Sequence, residues 1–368
     1  MENSFHHRLP SFDREYALYC SNCGLEAATN DLYCAGCGRK LMKSDTMARR
    51  STLEETTVSS VTAGSVHAFS LSNSRGTLFF GITASVMMLA AQLLHAYVHE
   101  MLGHGVVALL VGQQLKGFYL SPFGASYTFV SISPTPAFAA LQYSAGTIVS
   151  VALGVVLLFR LYPWIKRRRS SFALRLAILL FIIMLESDLL YGFSSPLIQF
   201  GDINDIARIL SIHPSSLLSL VFFPLVLIVY YPILREYLEL LAPFAGKDQV
   251  LKDRHARFRF LLKVTYVPTI FILLEELVGI GIFSVSAGVF FVVGLVVLVS
   301  PLLPAVYMCS YCYDPSKRAS NVLQDATDAE ARLAFNDLLK YTIICLLFMA
   351  ATEVAFGPTP RIVSLESV

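Results

Sequence analysis

The sequence predicts an all-α integral membrane protein. It reads as a polytopic helical bundle of about seven spans with a short β-hairpin after the first span, preceded by a small four-cysteine zinc ribbon. Three observations lead there. The 368 residues are 55% apolar and only 15% charged, and the mean hydropathy is +0.62. Lipid must therefore cover side-chain area that a soluble domain of this size would have to make polar. Apolar stretches of about 20 residues recur, the length at which a helix crosses a ~30 Å hydrocarbon core. Four of the seven cysteines fall within residues 20–37 as two Cys-x-x-Cys pairs.

The elements follow in chain order. Residues 1–18 are polar and read as a flexible N-terminus. Residues 19–41 form the ribbon, in which Cys20, Cys23, Cys34 and Cys37 make two knuckles, each followed by glycine (Gly24, Gly38). Two tight turns of this spacing present four thiolates tetrahedrally to one Zn²⁺, with Zn–S near ~2.3 Å. Glycine admits the backbone angles required after each knuckle. The first thirty residues contain no apolar h-region, so no secretory signal is predicted and the cysteines read as metal ligands rather than as disulfides. So short a stretch does not fold without its metal, which makes a structural zinc the simplest role. The functional alternative is recognition of a protein partner. No basic surface interleaved with aromatics marks the ribbon as a nucleic-acid reader, so no nucleic-acid partner is expected. This element resembles the short zinc ribbons at the ends of many prokaryotic membrane proteins. Residues 42–75 are rich in Ser, Thr and small residues, punctuated by Lys43, Arg49, Arg50 and Arg75, and read as a linker.

Residues 76–357 form the predicted membrane domain, and 358–368 the C-terminal tail. Spans are expected at 77–98 (continuing helically to about 112), 137–160, 172–194, 215–241, 260–282, 285–307 and 338–356. Backbone in lipid must satisfy its own hydrogen bonds, so these are helices. Between the first two, LKGFYLSPFGASYTFVSIS (115–133) sets aromatic and β-branched residues about a Pro122/Gly124 turn, the pattern of a hairpin. The net charge of +2 says little; its placement says more. Basic clusters at Lys166–Arg169, at Lys247 to Arg259 and at Lys317/Arg318 all follow even-numbered spans. The positive-inside rule makes their side cytosolic, and the N-terminal ribbon with it.

The candidate chemistry sits at the end of the first span, LLHAYVHEMLGHGVVALLVG, which carries His95, His99, Glu100 and His104. Ionisable groups at membrane depth are expensive, so this cluster is a functional site by default. Two His and a Glu on one helix are the inventory of a zinc metalloprotease: imidazoles for the metal, a carboxylate for a proton. The spacing is unusual. Five residues of ideal α-helix turn ~500°, which leaves His99 and His104 about 140° apart. A π-bulge inserts one extra residue into a turn and would bring them together, and Gly103 and Gly105 make that distortion cheap. Two other pairs, Glu100 with His104 and His95 with His99, are four apart and face the same way, an alternative metal arrangement. Further on, QFGDINDI (199–206) places Asp202 and Asp205 three apart, on one face if helical and otherwise in a hydrated loop.

Weaker signals remain. Glu275 and Glu276 lie inside the fifth span, either on a proton or substrate path or bonded to a neighbouring helix. Glu186 and Asp188, near the expected end of the third span, are assigned to the interface. Cys309 and Cys312 read as buried or interfacial thiols, and Cys345 as packing.

His99-Glu100-Met101-Leu102-Gly103-His104-Gly105, with the small and apolar residues to Gly112 and the hairpin beyond, resembles the first motif of the site-2 protease family, intramembrane zinc metalloproteases of the M50 type. The Gly146-containing helix YSAGTIVSVALGVVLL is similar too. The resemblance implies a catalytic zinc held by His99, His104 and a carboxylate of a later segment, Asp202. Asp205 is second choice for that ligand, or a partner orienting a His. Glu100 is the implied general base. It also implies a metalloendopeptidase whose substrates are membrane proteins or membrane-embedded peptides that unwind beside the hairpin. The five-residue His spacing, and the lack of a Pro- and Asn-containing stretch around Asp202, depart from the family's pattern. The competing readings are a non-catalytic metal-binding scaffold or sensor, and a transporter with His95, His99, Glu100 and Glu275 as an ion path.

Overall fold

The computed structural model describes residues 70–120, 126–131, 135–168, 170–199, 201–245, 250, 253–283, 302–313 and 328–356, together with two short strands nearer the N-terminus. The chain divides into two compact units, Met1–Val66 and His67–Val368. In the first, β1 (Leu18–Tyr19) pairs antiparallel with β2 (Glu26–Ala27), Leu18 opposite Ala27. The proposed ribbon ligands Cys20, Cys23, Cys34 and Cys37 lie outside the described residues.

The second unit opens with α1, one continuous helical rod over Ser74–Leu110. Asn73 caps it, its side chain accepting from the Gly76 N–H at 2.6 Å. The rod is α-helical to Ala96, π-helical over Tyr97–Gly105, and α-helical again from Val106. Strands β3 (Leu115–Tyr119) and β4 (Tyr127–Val130) follow, antiparallel with Tyr119 opposite Tyr127 and a register irregularity between Leu115 and Gly117. The Pro122/Gly124 turn lies outside the described residues.

Helix α2 (Pro136–Arg167) starts at the Thr135 cap with proline in its first turn. Helix α3 (Phe172–Ile198) starts at the Ser171 cap and ends at Gln199, which takes the left-handed conformation with φ +56°. Gly201, with φ +89° and ψ −179°, then launches the short helix α4 (Asp202–Ile209). After it come α5 (Leu217–Leu241), α6 (Arg254–Phe283), α7 (Leu302–Cys312) and α8 (Asp328–Phe356).

Four helices among the described residues are long and apolar enough to cross a membrane: Ser74–Leu110, Pro136–Arg167, Leu217–Phe244 and Glu330–Thr352. Helix α3 covers the expected third span and α6 the fifth, while most of the expected sixth span lies outside the described residues. Helix α1 is central, packing against α3, α6 and α8, and α3 packs extensively on α5. Phe80 of α1, Leu176, Leu179 and Ile182 of α3, and Tyr230 and Ile233 of α5 are fully buried in one cluster. Outward faces are apolar as well. Leu220 (68%), Ile228 (66%) and Leu347 (65%) are exposed, a distribution that suits lipid and not water. Where α2 and α5 end near the basic loop, Lys166 Nζ donates to Glu236 Oε2 at 2.6 Å and to Glu239 Oε2 at 3.0 Å.

Candidate metal centre

The π-helical segment sets the geometry of the site. Closing each hydrogen-bonded ring one residue later makes a five-residue step close to one full turn, so His99 and His104 come onto one face. Their rings lie edge to face with centroids 4.8 Å apart, and their Nε2 atoms are 3.1 Å apart. Helix α4 supplies the third group. Asp202 Oδ2 is 3.1 Å from His104 Nε2 and 3.4 Å from His99 Nε2. Burial alone would raise the Asp202 carboxyl; the two imidazoles beside it outweigh burial and bring it down to about 2, so it is a carboxylate at neutral pH.

The outward nitrogens fix the tautomers. His99 Nδ1 lies 2.7 Å from Asp188 Oδ2, and His104 Nδ1 lies 2.7 Å from the Gln142 carbonyl oxygen. Both partners only accept, so in the neutral rings Nδ1–H donates and each Nε2 keeps its lone pair. With both rings neutral, three electron-pair donors face one another, an arrangement that a bound cation would resolve. The distances fit one. Ligand atoms ~2.0–2.1 Å from a tetrahedral zinc stand ~3.3 Å from each other, which matches separations of 3.1 to 3.4 Å.

Two glycines make the space. A Cβ on Gly103 would fall 2.5 Å from Gly146 Cα, so the π turn and α2 touch backbone to backbone. A Cβ on Gly146 would stand 2.5 Å from His99 Nε2 and 2.7 Å from His104 Nε2, inside the cradle itself. A third glycine places the carboxylate. The φ of Gly201 is one that side-chain-bearing residues rarely adopt, and a Cβ there would run into the Tyr191 hydroxyl. That hydroxyl accepts from the Asp202 N–H at 3.3 Å.

Glu100 is buried on the π segment, next to His99. The Thr128 hydroxyl on β4 lies 2.9 Å from Glu100 Oε2 and 2.8 Å from the Glu100 carbonyl oxygen, so one donor serves either acceptor. The hairpin is thereby fastened to the site.

The structure brings His99, His104 and Asp202 together. Asp205 points away from them, accepting from Arg208 Nη2 at 2.9 Å. His95 stays close but in a neighbouring cluster, its Nε2 3.1 Å from Asp188 Oδ1. His95, His99 and Asp188 form a second group with metal-ligand spacing. The interfacial assignment of Glu186 and Asp188 is corrected: the helix runs on to Ile198, and both side chains are buried in the bundle. Glu186 packs against Gly154, and its oxygens have no hydrogen-bond partner among the described residues. A signal for Asp188 is present in the sequence, since an acid inside a long apolar run is functional by default. Thr128, Tyr191 and the Gln142 carbonyl carry no such mark. Cys309 is buried and Cys312 exposed. Glu275 and Glu276 lie on the backbone of α6, with side chains outside the described residues.

Residues 77–241 match the model of the Peptidase M50B-like family, which supports the site-2 protease resemblance and covers the π segment, the hairpin and helices α2 to α5. The match suggests a membrane metallopeptidase, and two groups of His and Asp side chains bring possible ligand atoms close together, of which His99, His104 and Asp202 have separations that suit one ion. Comparisons with curated proteins and with solved structures found no match.

Proposed function

With the M50B-like match over its membrane segment as premise, we propose that this chain is a zinc-dependent intramembrane metalloendopeptidase. One observation carries the reading: His99 Nε2, His104 Nε2 and Asp202 Oδ2 converge within 3.1 to 3.4 Å from two distant stretches of chain. The residues fit a catalytic zinc with a three-ligand set and an open fourth position. When bound there, zinc supplies a Lewis acid and a water of lowered pKa.

The chain's own groups do the rest. Glu100 takes the proton of the attacking water and returns it to the leaving amine, so its carboxyl shuttles one proton per cleavage. Thr128 holds Oε2 of that carboxyl, which keeps the base from swinging away. Among the described residues the hairpin is two-stranded, so each strand keeps one edge unpaired. A membrane-embedded peptide that unwinds beside that edge would expose its amides next to Glu100, whereas a helical substrate would shield them. The substrate class is therefore a membrane protein or membrane-embedded segment with a locally extended stretch.

The same reading gives the ribbon a structural zinc through Cys20, Cys23, Cys34 and Cys37, two zinc ions in all. It places the ribbon in the cytosol, ahead of a bundle of about seven spans, where it takes a protein partner. A non-catalytic metal-binding scaffold would use the same ligands without turnover. A transporter would need the acids of α6 to face the histidines.

Glu100→Gln separates these. The amide keeps the shape of the side chain but cannot accept the proton. The protease reading expects cleavage of a membrane-embedded reporter to fall by ~100-fold or more with metal content unchanged. Undiminished cleavage by the variant would remove Glu100 as the base, and absence of cleavage by the parent chain across a panel of membrane substrates would favour the scaffold.

A further inference from the structure

We infer that Asp188 is a positioning residue for the metal centre, and that His95 holds it in place. The inference rests on the metal-binding reading of His99, His104 and Asp202.

Asp188 projects from α3 toward α1 inside the bundle and is 3% exposed. A carboxylate in such a place is expensive unless something else requires it. Both of its oxygens face imidazoles of one helix. Oδ2 accepts from His99 Nδ1 at 2.7 Å, and Oδ1 lies 3.1 Å from His95 Nε2. The sequence explains how one carboxylate reaches both. His95 and His99 are four apart, across the junction where the α-helical part of α1 gives way to the π turn, so their rings share a face.

The consequence for His99 is geometric. A neutral imidazole has one N–H, and Asp188 keeps it on Nδ1 and aims it away from the centre. Nε2 then points, with its lone pair, at the spot that His104 and Asp202 also face. His104 is oriented in the same way by a neutral acceptor, the Gln142 carbonyl. The two ligands thus differ in their support: a carboxylate behind one, a peptide carbonyl behind the other. A charged partner raises ligand basicity more, so His99 is the stronger donor of the pair.

The competing use of these atoms is a second metal ion among His95, His99 and Asp188. The distances argue against it. Two ligands of one tetrahedral zinc stand ~3.3 Å apart, whereas His99 Nδ1 and Asp188 Oδ2 are 2.7 Å apart, the length of a charge-assisted hydrogen bond. The pair holds a proton.

The test is zinc occupancy of the detergent-purified full chain, equilibrated across buffers of graded free zinc. The membrane-site step is the one that Asp202→Ala removes. Asp188→Asn should move that step to ~10–100-fold higher free zinc without lowering the final stoichiometry. It should also shift the ligand-field bands of the cobalt-loaded chain. His95→Gln leaves the His99 contact in place and frees only its anchor, so it should move the step in the same direction by less. An unmoved step in Asp188→Asn overturns the inference. So does loss of a metal equivalent that Asp202→Ala leaves in place, because Asp188 would then be a ligand of a second ion. Should Asp188→Asn fail to fold, His95→Gln decides, and an unmoved step there overturns the anchoring role. If Asp202→Ala removes no step at all, the metal centre itself fails, an outcome distinct from these.

Discussion

Adding one methyl group at Gly146 tests the metal centre without replacing a ligand residue. The new Cβ would stand 2.5 Å from His99 Nε2 and 2.7 Å from both His104 Nε2 and His99 Cδ2, where ordinary contact begins at 3.4 Å. The methyl is short of room by about 0.9 Å against the first of these. Helix α2 has little freedom to retreat, because Gly103 and Gly146 already hold it backbone to backbone on the π turn. The imidazoles must give instead, and each is tied at its far nitrogen, to Asp188 and to the Gln142 carbonyl. Moving a reacting group by ~1 Å costs ~100-fold in rate, equivalent to ~2.7 kcal/mol, and disturbing the orientation of a metal ligand costs ~10–100-fold in affinity. Overpacking of this kind lowers stability by ~1–3 kcal/mol. Gly146→Ala should therefore retain zinc at the Asp202-dependent step ~10–100-fold less tightly and lose cleavage by ~100-fold or more. The control is Ser150→Ala, one turn further along α2, which removes a buried hydroxyl and adds no atom. It should leave zinc retention at the parent level. The measurement is zinc content across graded free zinc, with a thermal melt in detergent to confirm folding. A folded Gly146→Ala that holds zinc as the parent does would refute the reasoning, because the two Nε2 atoms could not then define the site.

Three further outcomes follow from the same geometry. Thr128→Val removes the hydroxyl beside Glu100 Oε2 and should lower kcat by ~10-fold with zinc retention unchanged, read in a cleavage assay alongside metal content. Gly201→Ala forces a side chain into a φ of +89° and against Tyr191, so it should displace Asp202 and weaken zinc retention nearly as far as Asp202→Ala does. Asp205→Asn loses only a contact to Arg208 on an exposed face and should change neither zinc content nor cleavage.

The site is half legible in the sequence, and the division has a physical cause. His99, Glu100 and His104 stand out because ionisable side chains inside an apolar run have no bland explanation. The five-residue spacing is an obstacle under α-helical periodicity and calls for a π-bulge, and Gly103 and Gly105 mark where the backbone is free to make one. Asp202 and Asp205 are harder to tell apart, because three residues of helix put both on nearly one face. What separates them is the cap: Gly201 sets the first residue of α4 against the imidazoles, and Arg208 draws Asp205 outward. Asp188 is misplaced when the end of α3 is set at 194 instead of Ile198, which moves a mid-helix acid toward the interface. The Gln142 carbonyl is not readable at all, since every residue has a carbonyl and only the fold says which one meets a ligand.

The π turn also explains why the glycines are where they are. A π segment is a rare conformation, well under one residue in a hundred, and this one spans nine residues, Tyr97–Gly105. Its contacts lie across a single gap. Gly103 lets α2 approach, Gly146 leaves the cradle open on the facing side, and Gln142, one turn earlier on α2, reaches His104 through its backbone. A four-residue spacing on plain α-helix would also set two imidazoles on one face. It would, however, replace the π turn by ordinary α-helical hydrogen bonding and shorten the rod between Glu100 and the hairpin by ~1.5 Å. Thr128 meets Glu100 within that π turn, its hydroxyl within reach of either the carbonyl oxygen or Oε2. The π turn thus carries two alignments at once, imidazole with imidazole and base with strand, because His99, Glu100 and His104 all lie within it.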